Sequence, residues 1–339
     1  MSQPNSCKRL QVFNTDLPPC CVQYYPNDTS IVFISSYKLE ENGEKHGSID
    51  IYQHDNGEGD LHLLTRKLTT AVLDLKIKDS LVSSCHSDGS VILWKFNSKE
   101  MGLSKIKQFG VFEDTVTSVN FNHKGDIIIA TCTNGQTCSI DLEKGDINYF
   151  DTTHDLECWI SAFGELGELC NVIFTGGDDS KLIAHDIRTN TKIWATGTRH
   201  HEAGVVSILP ASKTWNSMNP NQLWTGSYDD NLRILDLRVM DKENPALIEG
   251  YIPVVHQKEN LGGGVWRLIP SPAPNDNRIL ACCMYDGARI VDVKEDQFVV
   301  TKYFKADHES MCYGGDWGSS GITTCSFYDK VVQRWDPNS

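Results

Sequence analysis

Short runs of alternating apolar and polar residues follow one another along this chain, and the same kind of turn interrupts them at nearly regular intervals. The stretch at 225–238, TGSYDDNLRILDLR, shows the unit most fully. Small residues (Thr225, Gly226, Ser227) lead into a polar turn at Asp229, Asp230 and Asn231. An alternating run (Leu232, Ile234, Leu235, Leu237) then closes on Asp236 and Arg238. Strand side chains point to opposite faces with period two, so two such runs about a polar turn predict a β-hairpin. An isolated hairpin is marginal in water, which makes its repetition the informative feature.

The nearest copy is TGGDDSKLIAHDIR at 175–188, and further copies begin at Ser84, Thr131, Cys283 and Cys325. A divergent first copy runs from Ile31 to Ser36, takes an insertion, and resumes at Gly47. The turns fall near 46, 88, 134, 179, 230, 286 and 329. Seven units at this spacing predict an all-β, seven-bladed propeller of four-stranded blades. The repeats fill 1–339, so a single closed domain is expected where length alone would suggest two. Residues 9–13 are expected to pair with the strand ending near Asp336 and close the ring.

Inner strands are expected at 20–24, 71–77, 116–121, 158–163, 204–209, 263–269 and 311–317. The loops leading into them should gather on one face, with the hairpin turns on the opposite rim. Three of these loops carry chemistry: 199–204 (RHHEAG), 259–267 (ENLGGGVWR) and 307–317 (DHESMCYGGDW). Longer connections at 214–220, 241–256 and 271–277 read as loops, because Pro210, Pro220, Pro253, Pro270, Pro272 and Pro274 interrupt or flank them.

Composition narrows the function. None of the twelve cysteines forms a C-x-x-C pair, and Cys85, Cys132 and Cys325 sit in predicted strands. Buried, reduced thiols are expected, with no metal. A net charge of −14 argues against nucleic acid as the ligand and favours a partner with a basic surface. No apolar run approaches membrane-spanning length, so a soluble, cytoplasmic chain without membrane insertion is expected.

The combination TGGDDSKLIAHDIR, HEAGV at 201–205, TGSYDDNLRILDLR, GGGVWRL at 262–268 and CYGGDW at 312–317 resembles the WD-repeat diphthine methyl ester hydrolase family of diphthamide biosynthesis. LPPCC at 17–21 and SDGSVILW at 87–94 fit it as well. The resemblance implies a hydrolase acting on elongation factor 2, where it removes the methyl ester from a modified histidine that also carries a trimethylammonium group. Later amidation completes diphthamide. Other enzymes of that pathway become candidate partners, and no cofactor is implied.

Ester hydrolysis needs an activated nucleophile and donors for the developing oxyanion. The chain has neither the G-x-S-x-G elbow nor an H-E-x-x-H helix, so the site must be assembled from several blades. His201 or His200 is a candidate base with Glu202 orienting it; a structural bond from such a histidine to a serine or aspartate is the alternative. His308 and Ser310 can share a strand face as base and nucleophile, Glu309 pointing away, or belong to a solvated loop. Gly263 and Gly264, with Gly262, can offer N–H groups to an oxyanion or serve a turn of positive φ. One or two of Trp159, Trp266, Tyr313 and Trp317 are expected to face the ammonium, the others packing between blades. Arg267 can hold the product carboxylate or pair with Asp316. The turn aspartates Asp178, Asp179, Asp229, Asp230, Asp286 and Asp329 read as structural.

A non-catalytic reading also stands. Asp186 with Arg188, and Asp236 with Arg238, match the D-x-R ending by which WD-repeat substrate receptors dock on a cullin ubiquitin ligase, with His185 and Leu235 replacing tryptophan. Such a pair equally serves blade packing.

Overall fold

The computed structural model describes residues 5–54, 59–237, 247–294 and 297–339. Seven sheets follow one another, each built on four antiparallel strands, with an extra strand in the first and in the sixth, and each begins with an inner strand: Pro19–Tyr24, Val72–Lys78, Val116–Phe121, Cys158–Phe163, Val205–Pro210, Val265–Pro270 and Cys312–Gly318. Numbering blades by these strands, the ring closes in blade seven, whose outermost strand is the N-terminal Lys8–Asn14. It runs antiparallel to Val331–Asp336, with Arg9 opposite Trp335 and Phe13 opposite Val332. The expected closure is therefore observed. A further segment, Asn5–Ser6, pairs parallel with Gln297–Phe304 of blade six.

Strands rich in Val and Ile bury their faces against the next blade. Phe174, Leu182 and Ala184 of blade four, for example, share one apolar cluster with Val205, Leu223 and Leu235 of blade five. Eleven of the cysteines are buried and all are free, as the strand pattern predicts. No helix among the described residues is long and apolar enough to cross a membrane.

Three features depart from the sequence reading. The hairpin turns lie on the same face as the leading loops, not on the opposite rim. Each inner strand runs away from its leading loop and the second strand returns, so the turn after the second strand must come back to the starting face. Hydrogen bonds record this: Asp229 accepts from Glu202 N at 2.8 Å, Asp230 from Gly264 N at 2.6 Å and Asp329 from Glu309 N at 2.8 Å.

The second departure is in blade one. The insertion forms its own small hairpin, Lys38–Leu39 against the start of Lys45–His54, with Gly43 at the tip. His46 and Gly47 are strand residues, and a Cβ at Gly47 would lie 2.0 Å from Ser36 O, so the backbones meet there only because Gly47 lacks one.

The third is one residue of phase. The left-handed turn residue is Gly89, Gly135, Ser180, Asp230, Gly287 and Lys330 in blades two to seven, so blade five turns at 229/230 and not at 230/231. Asp178 and Tyr228 thereby occupy the same place in consecutive blades. Arg238 and residues 241–246 of the long connection lie outside the described residues.

Candidate active site

Each inner strand carries a bulge between its first and third residues, where two residues oppose one on the neighbouring strand. A bulge re-aims a side chain. The second residue of each inner strand is Cys20, Leu73, Thr117, Trp159, Val206, Trp266 and Tyr313 in ring order. The residue two places before each left-handed turn position is Ser87, Thr133, Asp178, Tyr228, Tyr285 and Tyr328 in blades two to seven. Apart from the buried Val206 of blade five, blades four to seven thus furnish aromatic and acidic groups where blades two and three furnish small or aliphatic ones.

These groups meet around Trp266. Its ring lies 4.8 Å from Tyr313, 5.7 Å from Tyr228 and 5.8 Å from Trp159, and all four side chains are half-buried. Asp178 accepts from Trp159 Nε1 at 2.8 Å. A Cβ at Gly204 would lie 2.6 Å from Asp178 Oδ1 and 2.9 Å from Tyr228, so glycine there is what lets the carboxylate and the tyrosine close on the loop. Burial raises the Asp178 pKa above its ordinary value, against the Trp159 hydrogen bond and with help from Glu157 and Asp179.

Below this aromatic patch the channel is charged. Arg267 follows Trp266, with its guanidinium 5.9 Å from that ring, and pairs with Asp74 at 3.2 Å. Asp74 is fully buried and also takes Lys76 at 3.0 Å and Cys21 Sγ at 3.3 Å. Burial alone would raise Asp74; Lys76 and Arg267 outweigh it and hold it ionised. Asp316 is not the partner of Arg267. It accepts from Tyr24 N at 2.6 Å and Trp317 N at 2.9 Å, and burial pushes its pKa up to about 6. Arg267, Lys76 and Asp316 line a cavity of about 710 Å³ that reaches toward the other face through Phe121, Phe163 and Pro270.

The predicted base and nucleophile residues lie elsewhere. His201 is fully buried, its Nε2 2.9 Å from Thr225 Oγ1, and burial followed by the Arg233 charge lowers its pKa to about 3. Glu202 does not orient it; that side chain is 72% exposed and pairs with Lys258 at 3.0 Å. His308 is 1% exposed, bonded at 2.7 Å to Ser326 and 2.8 Å to Thr324, and burial lowers its pKa to about 4. Ser310 donates to Asp329 at 2.7 Å and accepts from Tyr328 N at 2.9 Å, so it fixes its turn and does not meet His308. Both histidines sit inside blades because the loop residue before an inner strand folds under the hairpin turn, where hydroxyls of the second strand await it.

Gly262, Gly263 and Gly264 all have positive φ, the turn reading, and the Gly264 N–H is already taken by Asp230. Trp317 is 7% exposed and packs in the apolar core of blades six and seven. Arg188 forks onto Asp186 with two contacts of 2.7 Å, the blade-packing form of D-x-R. Among the described residues no group of three or more His, Cys, Asp or Glu side chains is arranged to hold a metal. Sequence reasoning missed Tyr228 and set Asp178 aside as structural. Counting from the left-handed residue in each copy brings both out, since Asp178 stands where the next three blades carry tyrosine.

A scan against models of known protein families gives no match. The diphthine methyltransferase of Saccharomyces cerevisiae is 35% identical, over 96% of this chain and 97% of that protein. The chain belongs to the diphthine methyltransferase family. The Schizosaccharomyces pombe member is 32% identical over 95% of both chains. This agrees with the resemblance read from the motifs and makes the chain a WD-repeat propeller of the diphthamide biosynthesis family. A chain in the crystal structure of the mitotic checkpoint complex superposes on 99% of this chain, and 93% of its own, with a TM-score of 0.75 at 13% identity, a likeness of fold alone.

Proposed function

We propose that this member of the diphthine methyltransferase family is a carboxylic ester hydrolase that removes the methyl ester from methylated diphthine on elongation factor 2. The observation that carries this reading is the four-ring patch around Trp266 with a carboxylate at its edge. Quaternary ammonium groups bind on aromatic faces, each contact contributing about 0.5–2 kcal/mol according to how dry the site is. Trp266, Tyr313, Trp159 and Tyr228 present such faces, and Asp178 supplies an adjacent negative charge.

In this reading Asp178 is the general base. Its raised pKa moves it from the ordinary carboxylate range toward the working pH, where a base is most effective. It takes a proton from water as the water oxygen adds to the ester carbon. The bond from that carbon to the methoxy oxygen then breaks, and the proton leaves on methanol. The second proton of the water is released to solvent and a carboxylate remains. Arg267, held by Asp74, is placed to pair with negative charge below the ring it follows. His201, His308, Ser310 and Glu202 serve to shape the face.

The relatives are named for methyl transfer, and the two reactions differ in where the methyl group goes. Purified protein is given elongation factor 2 carrying methylated diphthine, with no cofactor added, and methanol and the substrate's mass are followed. Hydrolysis gives one methanol per substrate and a loss of 14 mass units, about one CH₂. No methanol from authentic substrate would overturn the reading.

A further inference from the structure

The turn aspartates of the blades are not alike. Asp179 accepts from His154 at 2.8 Å and from the N–H groups of Asp155 and Lys181, Asp229 takes Arg233, and Asp329 takes Ser310 and Glu309 N. Each holds its own turn together, and Asp178 does not. Its Oδ1 accepts from Trp159 Nε1 at 2.8 Å, while Oδ2 has no hydrogen-bond partner among the described residues and stays open to solvent. The Gly204 backbone closes on the same Oδ1, where a Cβ would stand 2.6 Å away. Trp159 is the bulged residue of its inner strand, and its ring lies 5.8 Å from Trp266. One indole thus joins the aromatic patch with its ring and reaches the carboxylate with its N–H. An indole N–H is a donor only and does not titrate, so it fixes an oxygen without competing for the proton. Blade six offers the contrast: Trp266 occupies the equivalent bulge, but its turn position holds Tyr285 and the Trp266 N–H makes no hydrogen bond among the described residues.

We propose that Trp159 is the positioning residue for the base: its N–H holds Asp178 Oδ1 against the Gly204 backbone, so that Oδ2 is the oxygen that takes the proton from water, beside the rings that receive the ammonium. This assignment rests on the hydrolase reading and names the group that orients its base. A base that must reach water and ester within hydrogen-bond distance gains from being held before the substrate arrives. Trp159 also sets the strength of the base. Burial raises the Asp178 carboxyl most, the Trp159 bond opposes it, and Glu157 and Asp179 raise it further. Asp179 is itself tied to His154 and Lys181, and Tyr228 of blade five has a phenol that burial keeps protonated. The Trp159 bond is the influence among these that favours the charged form, so its loss must raise the carboxyl again.

Methanol release is followed across pH for the wild type, Trp159→Phe and Trp266→Phe. Trp159→Phe keeps an aromatic ring without the N–H. Its kcat above the acid limb should fall about tenfold, and the acid limb of kcat/KM should move to higher pH. Trp266→Phe should leave that limb in place. An unmoved limb in Trp159→Phe would overturn the proposal, as would an equal shift in Trp266→Phe. Should Trp159→Phe not fold, the wild type carries the test through isotopic labelling of its eight indole nitrogens. One Nε1–H resonance should titrate with the midpoint of the kcat/KM limb and stop titrating in Asp178→Asn; absence of such a resonance overturns the proposal equally. No methanol from the wild type overturns the hydrolase reading itself, whereas methanol with an unmoved limb removes the role of Trp159 alone.

Discussion

Blades two and three bring Leu73, Ser87 and Thr133 to the mouth and bury Thr117, whereas blades four to seven bring Trp159, Trp266, Tyr313, Asp178, Tyr228, Tyr285 and Tyr328 and bury only Val206 of these positions. The backbone device is the same in both halves: a bulged inner strand and a turn ending in a left-handed residue. The difference therefore lies in side chains placed by a common frame. The frame itself is also more heavily anchored on the aromatic side. In blade five Arg233 forks onto Asp229 with contacts of 2.9 and 2.6 Å, both side chains nearly fully buried. In blade two the corresponding Asp88 only receives Ser90, through its N–H at 3.1 Å and its hydroxyl at 2.6 Å.

That contrast sets the largest expected effect. Arg233→Ala leaves a buried carboxylate without its partner and should cost about 3–5 kcal/mol of unfolding free energy, against about 1 kcal/mol for Asp88→Ala. Urea denaturation of both variants measures this, and equal losses would break the comparison. The pH dependence has a definite sign. Burial alone would raise Asp229, but hydrogen bonds from Arg233, Glu202 N and Asn231 outweigh it and hold the carboxyl below the ordinary range. Its contribution is complete above about pH 4, the unfolded value, and is lost as pH falls toward the folded one. Arg233→Ala should flatten that acid limb of the stability curve, with Glu202 N and Asn231 still bonded to the carboxylate.

Next in size is Asp178→Asn, which keeps the shape but removes the proposed base. A fall of about a hundredfold in kcat is expected, with KM changed little. For the wild type kcat/KM should decline as pH falls through the raised Asp178 pKa, because the carboxylate is the active form; the variant should show no such decline. Ser87→Ala, on the other half of the mouth, should leave both constants near wild type.

The seven units, the ring closure and the buried thiols were legible because each rests on a local pattern repeated along the chain. The channel chemistry was not. Asp74 and Arg267 lie 193 residues apart and meet only because blades two and six face each other across the axis. The bulge that turns Trp159, Trp266 and Tyr313 toward the mouth leaves no mark in the alternation. His201 and His308 drew notice for their residue type and adjacency to Glu202 and Ser310, yet what decides their role is Thr225, Thr324 and Ser326 on the neighbouring strand. Phase was the other obstacle. A turn counted one residue late in blade five hid the equivalence of Asp178 and Tyr228.

The finest test of the two halves concerns Trp266, which three other rings surround. Trp266→Ala removes the central π face and should weaken binding of the trimethylated substrate by about 1–2 kcal/mol, a five- to thirtyfold rise in KM where chemistry is slow. Loss of packing could mimic this, so the informative quantity is discrimination. The ratio of KM for an analogue with an unmethylated amine to KM for the trimethylated substrate should fall toward one in Trp266→Ala and hold an intermediate value in Trp266→Phe, whose ring keeps a weaker face. Leu73→Ala, at the equivalent bulge of blade two, should leave the ratio unchanged. An unaltered ratio in Trp266→Ala would move the ammonium site off the aromatic half, and a changed one in Leu73→Ala would mean that both halves read the substrate.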